Sequence, residues 1–186
     1  CGRCAVGRNR HRGQADVLQE CLEALHKLDQ RAEGVVEADL VRRVGPPPSS
    51  VAAALRAMQR LGFAPRDANR RAALSARGRP EAAHVVLRHR LAERFLVDVL
   101  GRPWHSVHDE ACRLEHAFSE ESEERLDSLL HNPDTCPHGH PIPDSRGRVR
   151  RRACRRLSDL KPHERGRITC LMDEDAAHLR FLASLG

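Results

Sequence analysis

The sequence predicts a mainly α-helical protein built from several short helices. Apolar side chains recur every three or four residues from Val17 to Leu28. Comparable stretches follow at 37–44, 51–61, 81–101 and 106–118. Glycine and proline, most clearly in the run at 45–48, interrupt the helical pattern. The chain has no run of 18 apolar residues and no signal-peptide pattern, so we expect a cytoplasmic protein that does not enter a membrane.

The charge distribution divides the 186 residues into three blocks. The net charge is +7 over residues 1–80, −7 over 81–144 and +6 over 145–186, which sums to +6. A basic block suits a polyanion such as DNA, and an acidic block that contains histidine suits cations. Only 3% of residues are aromatic, which argues against binding of single strands by base stacking. The seven cysteines are unevenly spread and do not indicate a disulfide framework.

The N-terminal part predicts a disordered leader followed by a DNA-binding domain. Residues 1–15 are basic and aperiodic, as is typical of disorder. Within 16–80, two helices flank the proline-rich turn, and 63–74 indicates a hairpin with a basic tip. Three helices and such a hairpin make a winged helix-turn-helix, whose second helix of the pair enters the major groove. A helix pair that serves only for packing is the alternative.

Five side chains in this domain are candidate DNA contacts. Ser49 and Ser50 are suitable N-caps for a helix that begins at Val51. Together with Arg56 they are candidates to contact bases or phosphates, and Arg70 and Arg71 could reach backbone phosphates.

The acidic block carries side chains of metal-ligand type at helical spacing. His89 and Glu93 lie one turn apart. In the next predicted helix, a second group falls within an arc of roughly 100°. This group comprises His108, Cys112, Glu115 and His116. Burying such a stripe without a partner is unfavourable.

The first helix offers two further ligands, because Glu20 and Glu23 share one of its faces. If that helix packs against the helix at 106–118, carboxylates join thiol and imidazole groups. Mixed oxygen, nitrogen and sulfur ligation suits Fe(II), Mn(II), Co(II) or Zn(II). A DNA-binding protein with a purely structural metal site and a metalloenzyme that activates water are the alternatives. No separate general base is evident for an enzyme.

Three stretches resemble the diphtheria toxin repressor family of metal-dependent transcription regulators, over about residues 16–143. They are RHRLAERFL at 88–96, VHDEACRLEH at 107–116 and CPHGHPIP at 136–143. The resemblance implies a transcriptional repressor rather than an enzyme. It also implies a homodimer formed through 81–143 that binds a palindromic operator in double-stranded DNA.

The same resemblance implies the role of each ligand. His89, Glu93 and His108 match the family's ancillary metal site. Glu20, Cys112, Glu115 and His116 match its primary site, and Glu23 matches a further carboxylate of the manganese-sensing branch. Cys112 is typical of iron sensors whereas Glu20 and Glu23 are typical of manganese sensors. Fe²⁺ and Mn²⁺ therefore both stay open, with Co²⁺, Ni²⁺ and Zn²⁺ as possible substitutes.

The resemblance also covers the loop and tail that follow. Cys136, His138 and His140 fall in a segment that the family uses as a structural loop. Residues 144–156 predict a basic linker. Residues 157–186 resemble the start of the family's small FeoA-like β-barrel without its closing strands. Within it, Glu174 matches one ancillary ligand of the iron-sensing branch.

Overall fold

A computed structural model describes residues 13–28, 34–45, 47–144, 147–150, 153–172 and 175–185. This part of the chain is mainly helical, as predicted. Its α-helices are α1 (Gln14–Leu28), α2 (Glu37–Val44), α3 (Pro48–Arg60), α4 (Gly78–Arg94), α5 (His108–Leu114), α6 (Glu120–Leu129) and α7 (Ala176–Ser184). None of the described helices is long and apolar enough to cross a bilayer. Most of the predicted leader and the candidate ligand Glu174 lie outside the described residues.

The N-terminal helices pack around a single apolar core. Helix α1 lies against α2, α3 and α4. Its Leu25 is fully buried with Leu40 of α2 and with Leu55 and Met58 of α3. Helix α1 begins at Gln14, so the last two residues of the predicted leader are helical. This packing makes the position of α1 and that of α3 interdependent.

A tight turn joins α2 to α3. Gly45 has a φ of +81° and its N–H donates to the Val41 carbonyl, which ends α2 with a left-handed residue. Helix α3 begins at Pro48, because the fixed φ of proline suits the first helical position. The prediction that Ser49 and Ser50 cap this helix is therefore wrong. Both serines lie within its first turn.

The predicted hairpin is present as short backbone pairings. Ala72 pairs with Arg66 and with Val35, and the Val35 pairing has N–O distances of 2.9 and 2.8 Å. At its tip Arg70 adopts a φ of +60°, and the side chain of Asp67 accepts a hydrogen bond from the Arg71 N–H. The tip thus presents Arg70 to solvent.

Helix α4 connects the two helical units. The hydroxyl of Ser75 accepts a hydrogen bond from Gly78 N–H where the helix starts. A Cβ at Gly78 would lie 2.0 Å from the Phe63 carbonyl oxygen, so only glycine allows this contact with the hairpin. Further along, α4 contacts α5 and α6. The predicted boundary at residue 80 therefore falls inside one continuous helix.

The second helical unit and the C-terminal tail each differ from the prediction. Helix α5 ends at Leu114, so Glu115 and His116 lie in the turn that follows instead of in a helix that reaches 118. In the C-terminal part, no strand occurs among the described residues of 153–185. Helix α7 packs against the 3₁₀ turn Trp104–Ser106 and buries Leu179. The strands of the expected barrel are thus not found in the described tail.

Candidate metal centre

Three helices and one turn bring the predicted ligands together. Helix α1 supplies Glu20 and Glu23, α4 supplies His89 and Glu93, and α5 supplies His108 and Cys112. Glu115 and His116 follow directly after α5. All of these side chains are buried except those of His108 and His116, which are partly exposed. The structure therefore brings Glu20 of α1 to His116, with 3.7 Å between Oε1 and Nε2, whereas it groups Cys112 with His89 and His108 of the predicted ancillary site.

His89 occupies the middle of this centre. Its Nδ1–H donates to Glu115 Oε2 at 2.6 Å and also lies 3.9 Å from Glu23 Oε1 and 4.0 Å from Cys112 Sγ. Its Nε2 lies 3.2 Å from Glu93 Oε1 and 3.2 Å from His108 Nδ1. One imidazole ring therefore separates two sets of ligand atoms, one on each of its nitrogens.

His116 connects the turn after α5 to α1. Its Nε2 lies 3.7 Å from Glu20 Oε1 and 3.5 Å from Glu115 Oε1, and it forms a well-aligned hydrogen bond with neither. Its Nδ1–H donates to the side-chain oxygen of Gln19 at 2.7 Å. In the neutral ring, this hydrogen bond keeps the proton on Nδ1 and leaves the lone pair of Nε2 to bind a metal beside the carboxylates. The sequence pattern does not single out Gln19, whose only signal is its place next to Glu20.

The loop at 134–142 adds two ligand-type side chains that we had expected to be structural. His138 Nδ1 lies 3.3 Å from Glu93 Oε1 and 3.9 Å from Cys136 Sγ. The loop is held there because Arg94 Nε donates to the Thr135 carbonyl at 2.7 Å and Arg90 donates to the carbonyl of Pro141. Both Cys136 and His138 are buried against α4.

His140 does not join this group. Its Nδ1 lies 3.4 Å from the Sγ of Cys170 in the tail. Of the three candidate ligands in this loop, only Cys136 and His138 therefore reach the centre.

Mutual pairing shifts the pKa values of the buried groups. Burial opposes ionisation of Glu93, but the neighbouring His89, His108 and His138 hold the pKa of its carboxyl well below the usual range. Burial also disfavours the charged form of His89, yet Glu23, Glu93 and Glu115 raise its pKa. In Glu115, burial and the charge of Glu23 raise the carboxyl pKa. The centre is thus a dense network in which buried carboxylates depend on nearby cations, chiefly protonated histidines, for neutralisation.

These residues fit a divalent transition metal. Glu93 Oε2, Glu115 Oε1 and His116 Nε2 are among the buried atoms of the described chain that form no hydrogen bond. The described residues include three sets of side chains, and within each set the ligand atoms lie within 4.8 Å of one another. The sets are His89–His108–Cys112, Glu23–His89–Glu115 and Glu93–Cys136–His138. Imidazole, carboxylate and thiolate together suit first-row metals.

A small cavity of about 30 Å³ opens at the centre, and Glu20, Glu23, His108 and Cys112 are among the residues that line it. Such a volume holds one or two water-sized occupants. Ligand-type side chains therefore border a space of the size that a metal ion and a bound water require.

The candidate DNA contacts lie in the N-terminal unit. Ser49, Arg56 and Arg70 are exposed, and Ser50 is half-buried. Arg71 is half-buried, and its Nη1 donates to the Gly34 carbonyl at 3.4 Å. Arg70 is therefore the more accessible of the two arginines at the hairpin tip.

Fold and donor set define the class: a mainly helical protein with a buried centre suited to transition metals. Residues 75–144 match a family model described as the iron dependent repressor, metal binding and dimerisation domain. Over 128 residues the chain is 40% identical to the iron-dependent repressor IdeR of Mycobacterium leprae, covering 69% of this chain and 56% of that protein. It is 36% identical over 132 residues to the diphtheria toxin repressor of Corynebacterium jeikeium, covering 71% and 55%.

Solved structures agree with this assignment. A structure described as a manganese-dependent transcriptional repressor complex with manganese superimposes with a TM-score of 0.82 at 34% identity, covering 91% of this chain and 78% of that one. The chain belongs to this family of metal-dependent repressors, the diphtheria toxin repressor family, as the sequence resemblance indicates. It spans about half the length of the curated relatives it matches.

We predict that Gln19→Ala weakens Mn²⁺ binding by about tenfold while the fold is retained, because the tautomer of His116 is no longer fixed. Isothermal titration of the chelator-stripped protein measures this, and circular dichroism checks the fold. Gln59→Ala, at an exposed position of α3, is the matched control. Equal Mn²⁺ affinity in the two variants would show that the Gln19 contact has no role in positioning the imidazole.

A second prediction concerns acid stability without metal. Burial opposes ionisation of Glu23, but Lys27 and then His89 lower its pKa to about 2. Because the folded-state pKa lies below the ordinary 4.5, the carboxylate stabilises the fold above pH 4.5, and this contribution is lost as the pH falls towards 2. Melting temperatures in chelator should therefore fall less steeply over this window in Glu23→Gln than in the unmodified protein.

The exposed position Glu124→Gln is the control for that experiment, and it should follow the unmodified protein throughout. If Glu23→Gln loses stability with acid as steeply as the control, Glu23 is not an ionised, stabilising member of the buried network.

Proposed function

We propose that the chain is a metal-dependent transcriptional repressor that binds Fe²⁺ or Mn²⁺ and controls genes of metal homeostasis. The observation that carries this proposal is the convergence of Glu20 on α1 with Cys112, Glu115 and His116 around α5. Because the centre takes ligands from both helical units, metal binding there can change the position of one unit relative to the other. The relatives' names, iron-dependent repressor and manganese-dependent repressor, support the same function.

The chain's own side chains would divide between two adjoining sites. Glu20, Cys112, Glu115 and His116 form the proposed primary site. His89, Glu93 and His108 form the proposed ancillary site, to which the loop adds Cys136 and His138. Glu23 faces His89 and Glu115 and could serve at the border between the two.

A bound Fe²⁺ or Mn²⁺ would supply positive charge between acids that otherwise repel one another. By binding Glu20 and Glu115 together, the metal would fix the position of α1. Helix α1 would in turn fix the position of α3, because the two helices share a core. In the metal-free protein these carboxylates disfavour that approach. Metal and DNA affinity should then be coupled in both directions, since each ligand favours the same arrangement of the two units.

The N-terminal unit, residues 16–80, is the proposed winged helix-turn-helix. Helix α3 would enter the major groove with Ser49, Ser50 and Arg56, while Arg70 and Arg71 would contact phosphates from the hairpin. The net charge of +7 over residues 1–80 suits this role.

Residues 81–143 are the proposed dimerisation domain, and the matched family model is described by that property. Exposed apolar side chains at Val99, Leu100 and Leu129 offer surface for a second copy. The two recognition helices of the dimer would then enter successive major grooves of a palindromic duplex, and these grooves lie about 34 Å apart. We also propose a cytoplasmic location, a basic linker at 144–156 and a partial FeoA-like module at 157–186.

The donor chemistry supports both iron and manganese. Cys112 and Cys136 offer soft sulfur, whereas Glu20 and Glu23 offer hard oxygen. Co²⁺, Ni²⁺ and Zn²⁺ have ligand preferences that overlap with this set and would substitute in solution.

Metal-dependent DNA binding is the direct test. Duplexes selected from a random library by the Mn²⁺-loaded protein should bind at least about tenfold more tightly with Mn²⁺ than in chelator, measured by fluorescence anisotropy at fixed salt. Cys112→Ala should abolish most of this difference and keep its fold, because a primary-site ligand is lost. Cys154→Ala, at an exposed cysteine outside the centre, should respond as the unmodified protein does.

Equal affinity in Mn²⁺ and in chelator for the unmodified protein would refute the regulatory function. A metal response that survives in Cys112→Ala would remove this cysteine from the primary site. Unfolding of the unmodified protein in chelator would instead support a purely structural metal.

A further inference from the structure

Lys27 places a cation inside the candidate metal centre. The chain contains 30 arginines and only two lysines, Lys27 and Lys161. Lys27 lies in the last turn of α1, and its Nζ is 2.8 Å from Glu23 Oε1. Its side chain is only 13% exposed. It borders the same small cavity as Glu20, His108 and Cys112.

The burial of this ammonium group separates it from an ordinary surface ion pair. An exposed Glu–Lys pair one helical turn apart contributes little and is screened by water. Here both partners are largely removed from solvent, so their attraction is stronger and the loss of either one is more unfavourable. Glu23 in turn lies 3.9 Å from His89 Nδ1 and close to Glu115. The Lys27 charge is therefore adjacent to donor atoms that a metal would use.

We propose that the Lys27 ammonium is the resident cation of the metal-free centre and that it competes with the divalent ion for Glu23. This inference rests on the proposed function, and it concerns the metal concentration at which the centre fills. The competition has two components. The ammonium group occupies a carboxylate that would otherwise face the metal, and its positive charge repels an incoming cation across a poorly solvated space.

The side chain of lysine can move away from Glu23, but only at a cost in free energy. It carries a compact charge on a flexible four-carbon stem, whereas the guanidinium of arginine is held by its planar geometry. The cavity beside Lys27 is also lined by Arg43 of α2, so the ammonium group would move towards another cation when a metal takes Glu23. Displacement is therefore opposed, which raises the metal concentration required for binding.

The test compares the metal affinities of charge variants in the full chain. We expect Lys27→Met to bind Mn²⁺ and Co²⁺ about tenfold more tightly than the unmodified protein in isothermal titrations, since a positive charge beside the ligands is removed. Lys27→Gln, which keeps a polar end, should show the same direction of change. Lys27→Arg should stay within about threefold of the unmodified protein. Lys161→Met, at the exposed second lysine, should leave the affinity unchanged.

Thermal melting separates this role from a purely structural one. If Lys27 competes with the metal, Lys27→Met lowers the melting temperature in chelator and enlarges the increase that Mn²⁺ produces. If Lys27 only stabilises α1, the melting temperature falls by the same amount with and without Mn²⁺, and the proposal is overturned. Unchanged or weaker Mn²⁺ affinity in both neutral variants overturns it as well.

The outcomes also separate this inference from the proposed function. An unmodified protein that binds no Mn²⁺ or Co²⁺ contradicts both. An unmodified protein that binds metal with the same affinity as Lys27→Met and Lys27→Gln contradicts only the competition.

Discussion

The burial of four carboxylates in one small centre is the constraint on which the rest of this structure depends. Glu20, Glu23, Glu93 and Glu115 are each at most 8% exposed. Ionised carboxylates are removed from water together only when positive charge accompanies them. Without a metal that charge comes from imidazoles and from Lys27, and among the described residues Glu93 Oε2, Glu115 Oε1 and His116 Nε2 still form no hydrogen bond. Divalent cations bound at the two proposed sites would bring positive charge to these atoms.

The constraint acts on the architecture because the acids come from different elements. Glu20 and Glu23 belong to α1, which shares a core with α3, whereas Glu115 follows α5 in the second unit. Helix α4 runs through both units and places His89 between the two sets of ligands. The charge state of the centre is thereby linked to the relative position of the two units, which is the physical basis for the proposed regulation by metal.

The sequence predicted most of this arrangement because its signals were local and periodic. Helical spacing located α1, α2 and α4, and the resemblance grouped Cys112, Glu115 and His116 with Glu20. What it missed depended on long-range packing. Nothing near Cys136 and His138 indicates that Arg90 and Arg94 hold their loop against Glu93. Gln19 and Lys27 resemble ordinary polar residues of α1 until α1 is packed on α4 and its side chains meet those of the metal centre. The cap predicted at Ser49 and Ser50 failed because Pro48 starts the helix earlier.

The central claim is that one cation is held by α1 and by the ligands around α5 together. Anomalous scattering from crystals of the full chain grown with Mn²⁺ tests it most directly. The account predicts a manganese peak with Glu20 on one side and Cys112, Glu115 and His116 on the other, at distances of about 2.0–2.4 Å. A manganese ion that is held only by residues of the second unit, with Glu20 turned away, would contradict it.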